Sequence, residues 1–133
     1  MIYNADYVTN SSSTSFVLIL KDKRHFTLES FLNAAGVLED SPLVIVYKRL
    51  FQLINENVSD KTIVSFEEIN EEYRSFDEFS KEGEEEIRRR IKNGEKAYVG
   101  TISDDDLVGG YYMGNRIIIV GDTFYFNWEP DAY

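Results

Sequence analysis

The stretch from Tyr111 to Trp128, YYMGNRIIIVGDTFYFNW, constrains the fold of this chain more than any other. It divides into short runs rich in β-branched and aromatic residues. The runs are separated by Gly114-Asn115 and Gly121-Asp122, pairs that suit the two-residue turns of antiparallel hairpins. Three strands are predicted here. In the last, Phe124, Phe126 and Trp128 alternate with Thr123, Tyr125 and Asn127, which gives one strongly aromatic face. Glu129-Pro130 ends the run, because proline cannot donate to a strand ladder. Upstream, KAYVGTIS from Lys96 to Ser103 reads as a further strand. FVLIL, from Phe16 to Leu20, is a continuous apolar run followed by KDKRH, the pattern of a first, central strand buried on both faces.

Between these strands the period changes to that of helices. Thr27 is placed to cap a helix whose Leu28, Phe31, Leu32 and Ala35 fall on one stripe, with Gly36 at its end. Ser41-Pro42 is a second start signal, since Ser accepts from a first-turn amide and Pro has none to lose. The following LVIVYKRLFQLINEN could be taken for a strand at LVIVY. Its stripe of Leu43, Val46, Tyr47, Leu50, Phe51 and Ile54 persists for about three turns, so a helix is the better reading. From Ser65 to Asn93, two capping-box spacings, Ser65 with Glu68 and Ser75 with Glu78, predict one bent helix or two joined ones. Phe76, Phe79, Gly83, Ile87 and Ile91 share a face, and Asn93-Gly94 forms the stop. Gly83 marks either a close backbone contact or the break between pieces.

The predicted fold class is therefore α+β: an antiparallel sheet of four to five strands, made of the N-terminal strand plus a C-terminal meander, with about three helices packed on one face. A chain of 133 residues suffices for one domain, spanning 1–133, with a real core. An apolar fraction of 43% and an aromatic fraction of 14% place it outside the disordered class. Cysteine is absent, which excludes disulfides, thiolate metal sites and cysteine nucleophiles. No secretory pattern opens the chain, and no apolar run approaches the roughly 18 residues of a membrane span, so a cytoplasmic protein is expected. The net charge of −10 opposes direct binding of nucleic acid and favours basic protein surfaces as partners.

The densest candidate site is the acidic tract from Glu67 to Glu86, with ten acidic residues against only Arg74 and Lys81. Glu84, Glu85 and Glu86 stand four residues before Arg88, Arg89 and Arg90, pairs worth roughly 0.2–0.5 kcal/mol each. Left without helical partners are Glu67, Glu68, Glu71, Glu72, Asp77, Glu78 and Glu82. They form either a solvated face, consistent with acids near a helix start, or a docking surface. Tyr111, Tyr112, Tyr125 and Trp128 could form an exposed aromatic patch, with Tyr111 and Tyr112 as anchors for a partner, although such residues are more often sheet core.

Other constellations are weaker. Asp104, Asp105 and Asp106 follow a strand but lack the alternating spacing that converges on a cation, so a turn or cap is expected. His25 with Ser15 has no positioning motif for a triad, and His25 within KDKRH reads as a solvated strand end. VGGYYMGN lacks both the strand-to-helix setting and the Lys-Ser/Thr of a phosphate loop. No catalytic residue, metal or cofactor is implied.

The N-terminal YVTNSSSTSF carries the one resemblance. VTNSSSTSF, before an apolar strand, resembles the V-(T/S)-N-S-S-S-S-S-F start of many small proteins of bacteria and their phages. It departs from that pattern at Thr14 and covers about a tenth of the chain. The resemblance implies a bacterial or phage setting. There, by analogy, a small acidic chain without enzymatic signatures is expected to be a host-directed inhibitor, similar to anti-CRISPR and other anti-defence proteins, that blocks a basic surface of a host protein, including a nucleic-acid-binding one. The alternative is a ligand-binding or enzymatic domain whose phosphate or nucleotide site is lined by the Ser/Thr run. A third reading is an immunity-type partner of a toxin. Tyr and Val before the run and Phe after it predict that Val8 and Phe16 are buried and that Asn10 to Ser15 is an ordered, hydroxyl-capped turn.

Overall fold

The computed structural model describes residues 13–21, 25–73, 79–103 and 117–128. Within them the chain runs β1 (Ser13–Leu20), α1 (Leu28–Ala35), α2 (Leu43–Asn57), α3 (Phe66–Tyr73), α4 (Lys81–Lys92), β2 (Lys96–Ser103), β3 (Ile117–Val120) and β4 (Phe124–Trp128). The α+β class and the four-stranded antiparallel sheet are as expected.

The sheet order is β2-β1-β4-β3. β1 is central and pairs antiparallel on both sides: Phe16, Leu18 and Leu20 lie opposite Gly100, Tyr98 and Lys96 of β2, and opposite Trp128, Phe126 and Phe124 of β4. The first strand thus separates β2 from the β3–β4 hairpin and interrupts the meander. Beyond β2, Val58 and Ile63 form single bridges to Gly100 and Ala97, so this edge is shielded by the segment after α2.

The helices differ from expectation in placement, while the segment from Ser65 to Asn93 takes the two-helix form. Four are present among the described residues, and they cover both faces of the sheet. Phe16, Leu18, Leu20, Phe124, Phe126 and Trp128 pack with Phe31 of α1 and with Val46, Leu50, Leu53 and Ile54 of α2. Val17, Ile19, Ala97, Val99 and Tyr125 pack with Phe66 and Ile69 of α3 and Ile87 of α4. The cause is local. Every residue of FVLIL is buried, and a strand that is apolar on both sides needs cover on both sides.

Element ends follow their capping chemistry. Thr27 Oγ1 accepts from the Ser30 amide at 3.1 Å while Ser30 Oγ accepts from the Thr27 amide at 3.0 Å, and Gly36 closes α1 with φ of 74°. Ser41 Oγ accepts from the Leu43 amide at 3.1 Å, and LVIVY is helical as predicted. The Ser65–Glu68 capping box is not formed, because the Glu68 carboxylate accepts from the Val64 amide at 2.9 Å. Ser75 and Glu78 lie outside the described residues. The cap of α4 is Ser80, whose Oγ accepts from the Gly83 amide at 3.0 Å. Gly83 is therefore a buried first-turn residue and not the break between helices. The β3–β4 turn is shifted by one residue from Gly121-Asp122: the Gly121 amide donates to the Phe124 carbonyl at 2.9 Å, leaving Asp122 and Thr123 as its centre.

The N-terminal expectation is corrected in part. Phe16 is buried as predicted, but Ser13, Thr14 and Ser15 form the start of β1, opposite Ser103, Ile102 and Thr101, instead of a turn. Val8 and Asn10 to Ser12 lie outside the described residues. On the neighbouring strand, a methyl group at Gly100 would come within 2.5 Å of both the Asn57 carbonyl and the Phe16 ring. That position holds glycine because α2's end and the first core ring close on the strand there.

Candidate functional site

The acidic tract is carried by α3 and α4, which pack on the Val17–Ile19 face of the sheet. Phe66 of α3 makes an edge-on contact with Phe79, just before α4, ring centroids 5.8 Å apart. With the apolar stripes of both helices turned inward, Glu67, Glu82 and Glu85 are exposed and Glu68, Glu84 and Glu86 partly so.

Two carboxylates that helical spacing leaves unpaired acquire partners, Glu67 through tertiary contact and Glu68 from the residues just before it. Glu67 of α3 meets Arg88 of α4, Oε2 to Nη1 at 2.7 Å, and the same guanidinium bonds Glu84 Oε2 through Nε at 2.8 Å. Arg88 also lies over the Phe66 ring, 4.8 Å from its centroid. The hydrogen bond from Arg88, with a backbone hydrogen bond behind it, holds the Glu67 carboxyl below its ordinary value. In turn Glu84 and then Glu67 raise the Arg88 guanidinium. Glu68 is used locally: besides the Val64 amide it faces Lys61 Nζ at 3.9 Å.

The predicted Glu84–Arg88 and Glu86–Arg90 pairs are present, whereas Arg89 turns to Glu86 in place of Glu85. Glu86 therefore serves two guanidiniums, and hydrogen bonds from Arg89 first and Arg90 second lower its carboxyl. Arg90 is the residue that sequence reasoning misplaced. Its side chain is 8% exposed, bonds Glu86 at 2.6 Å and Glu95 at 3.1 Å, and lies 4.9 Å from the Tyr125 ring centroid. The spacing Gly83, Ile87, Arg90 puts it on the buried face of α4, and that was the available signal.

These depressed carboxyls fix the sign of an acid response. A group whose folded value lies below its unfolded one stabilises the fold above the unfolded value, and the contribution is lost as pH falls through the folded value. Wild type should therefore exceed a Glu67→Gln/Glu86→Gln variant in denaturant-unfolding free energy at neutral pH. The gap should close as pH falls below the ordinary carboxyl value of 4.5. A gap that stayed constant down to the acid limit would show that these pairs do not titrate with folding.

Of the remaining candidates, Glu82 is exposed, as is its neighbour Glu85, and neither has an ion-pair partner among the described residues. Glu71 and Glu72 fall on the second half of α3. Asp77, Glu78, Tyr111, Tyr112 and Asp104 to Asp106 lie outside the described residues. Tyr125 and Trp128 are core residues, 2% and 0% exposed.

No catalytic constellation joins Ser15 to His25. Ser15 is buried in the first half of β1. His25 is exposed beyond its other end, where its carbonyl accepts from Thr123 Oγ1 at 3.3 Å. Five strand steps alone separate Ser15 from Leu20, about 16 Å. The backbone of the described part of the Ser/Thr run, Ser13–Ser15, pairs with β2. Among the described residues no group of three or more His, Asp or Glu is arranged to hold a metal, and no helix is long and apolar enough to cross a membrane. Comparison with protein-family models, curated proteins and solved structures finds no match for this chain.

Proposed function

We propose that this protein works by binding, presenting the acidic outer face of α3 and α4 to a basic surface of another protein, in the manner of the host-directed inhibitors that its N-terminal stretch suggests. The observation that carries the reading is the charge left over once the local pairs are made. Arg88, Arg89 and Arg90 pair with Glu67, Glu84, Glu86 and Glu95, three cations against four anions, and Glu82 and Glu85 stay exposed without an ion-pair partner among the described residues, one turn apart on α4. The whole chain keeps a net charge of −10. Such a surface raises the encounter rate with a basic partner and repels polyanions. Among the described carboxylates of the tract, those left for a partner are therefore Glu82 and Glu85 on α4. Glu67 and Glu68 serve the fold.

The test compares wild type with Glu82→Lys/Glu85→Lys in capture from a bacterial lysate over a series of ionic strengths. A partner held by wild type should weaken steeply with salt. It should lose roughly fivefold in affinity per reversed charge, the upper end for exposed pairs. Equal recovery of the same protein by both forms at every salt concentration would overturn the proposal.

A further inference from the structure

We infer that the small pocket beside the segment after α2 is a binding site for a compact organic cation, an amine carried on one aromatic ring or a similar apolar body. The pocket lies where that segment, longer than the edge it covers, leaves α2. Val58 bridges Gly100 and Ile63 bridges Ala97, so five chain steps lie against three steps of β2. The surplus is taken up at residues 59–62. There the Lys61 amide donates to Ser59 Oγ at 3.1 Å, a tight turn with Asp60 at its tip.

Under this bulge is a pocket of about 130 Å³. Buried Leu18 and Leu20 of β1 line it with Phe26, Val58 and Tyr98, and Asn55, Ser59 and Asp60 form its polar side, Asp60 being the charged residue of the lining. The size matches one aromatic ring, since an apolar cavity of about 150 Å³ takes up benzene. The chemistry selects further. Apolar walls with two rings favour an apolar body and tolerate a cation at their faces. Asp60 is exposed and has no ion-pair partner among the described residues, while its neighbour Lys61 is directed to Glu68. Among the described residues no cation pairs with this carboxylate, so its charge disfavours an anionic ligand. The apolar lining residues all belong to the core on the α1–α2 side of the sheet, opposite the acidic helices. The two proposals therefore stand or fall separately.

The experiment is a titration followed by amide NMR, with benzylamine, benzyl alcohol and benzoate as probes of one shape and three charges. Benzylamine should give saturable shifts at Leu18, Leu20, Val58 to Asp60 and Tyr98. Benzyl alcohol should bind the same residues about two- to fivefold more weakly, the scale of an exposed ion pair, and benzoate more weakly still. Asp60→Asn should abolish the preference for the amine, and Asp60→Lys should make benzoate the better ligand, a reversal that misfolding cannot imitate. Non-saturable shifts, shifts centred on α4, absence of binding, or an amine preference that survives Asp60→Asn would each overturn the inference.

Discussion

Replacing Phe31 with alanine should lower the unfolding free energy by about 3–5 kcal/mol. Phe31 is fully buried on α1, and its ring lies within 6.4 Å, centroid to centroid, of Phe26, Tyr47, Phe51, Phe124 and Phe126. These rings come from the α1 approach, from α2 and from β4. One truncation therefore loses the transfer energy of a large side chain and leaves a hole between three elements that cannot all collapse inward. The loss should be read from urea denaturation as a lower midpoint with little change in slope. A cost under about 1 kcal/mol would mean that α1 is not docked on the sheet as described.

The second large effect is expected at Arg90. Arg90→Ala should cost about 3 kcal/mol, the low end for breaking a buried pair. It falls at the low end because Glu86 keeps Arg89 and is 30% exposed. The side chain that suffers is Glu95, 13% exposed, which loses the guanidinium at 3.1 Å. Tyr125 loses its cation at the same time. If the uncompensated charge is the cause, Arg90→Met/Glu95→Gln should recover most of the loss, since an apolar replacement removes the need for a partner. A double variant no more stable than Arg90→Ala would instead place the cost in lost packing of the long side chain.

Both residues show how far local pattern extends. Phe31 is legible as core from the stripe Leu28, Phe31, Leu32, Ala35. Arg90 belongs to a run of three arginines, each four residues after a glutamate, and nearest-neighbour reasoning treats the three alike. Only the docking of α4 on Tyr125 distinguishes them, burying Arg90 and leaving Arg88 and Arg89 half in solvent. The same holds for the acids. Helix spacing cannot show that Glu67 on one helix meets Arg88 on the next, because that contact depends on how two stripes pack.

The placement of the helices is a case where the signal was present but outweighed. FVLIL reads as buried on both faces, which demands cover on both faces, yet the alternating C-terminal strands suggest a one-sided sheet. Position in the sheet resolves the conflict. β1 is central, whereas β3 at the edge keeps Ile118 and Val120 exposed on the face that α3 and α4 cover elsewhere.

Sequence by itself determined the type of each described element, the centrality of the first strand and the caps at Thr27, Gly36 and Ser41. These depend on periodicity and on hydrogen bonds between residues a few positions apart, so the physics that sets them is contained in a short window. Tertiary structure decided which face each helix covers, which acids are neutralised and which stay free. It also decided that the segment after α2 bulges over the edge of β2 to form the Asp60 pocket. Those outcomes come from long-range pairing between stretches tens of residues apart, where burial and charge are properties of the contact and not of either stretch alone.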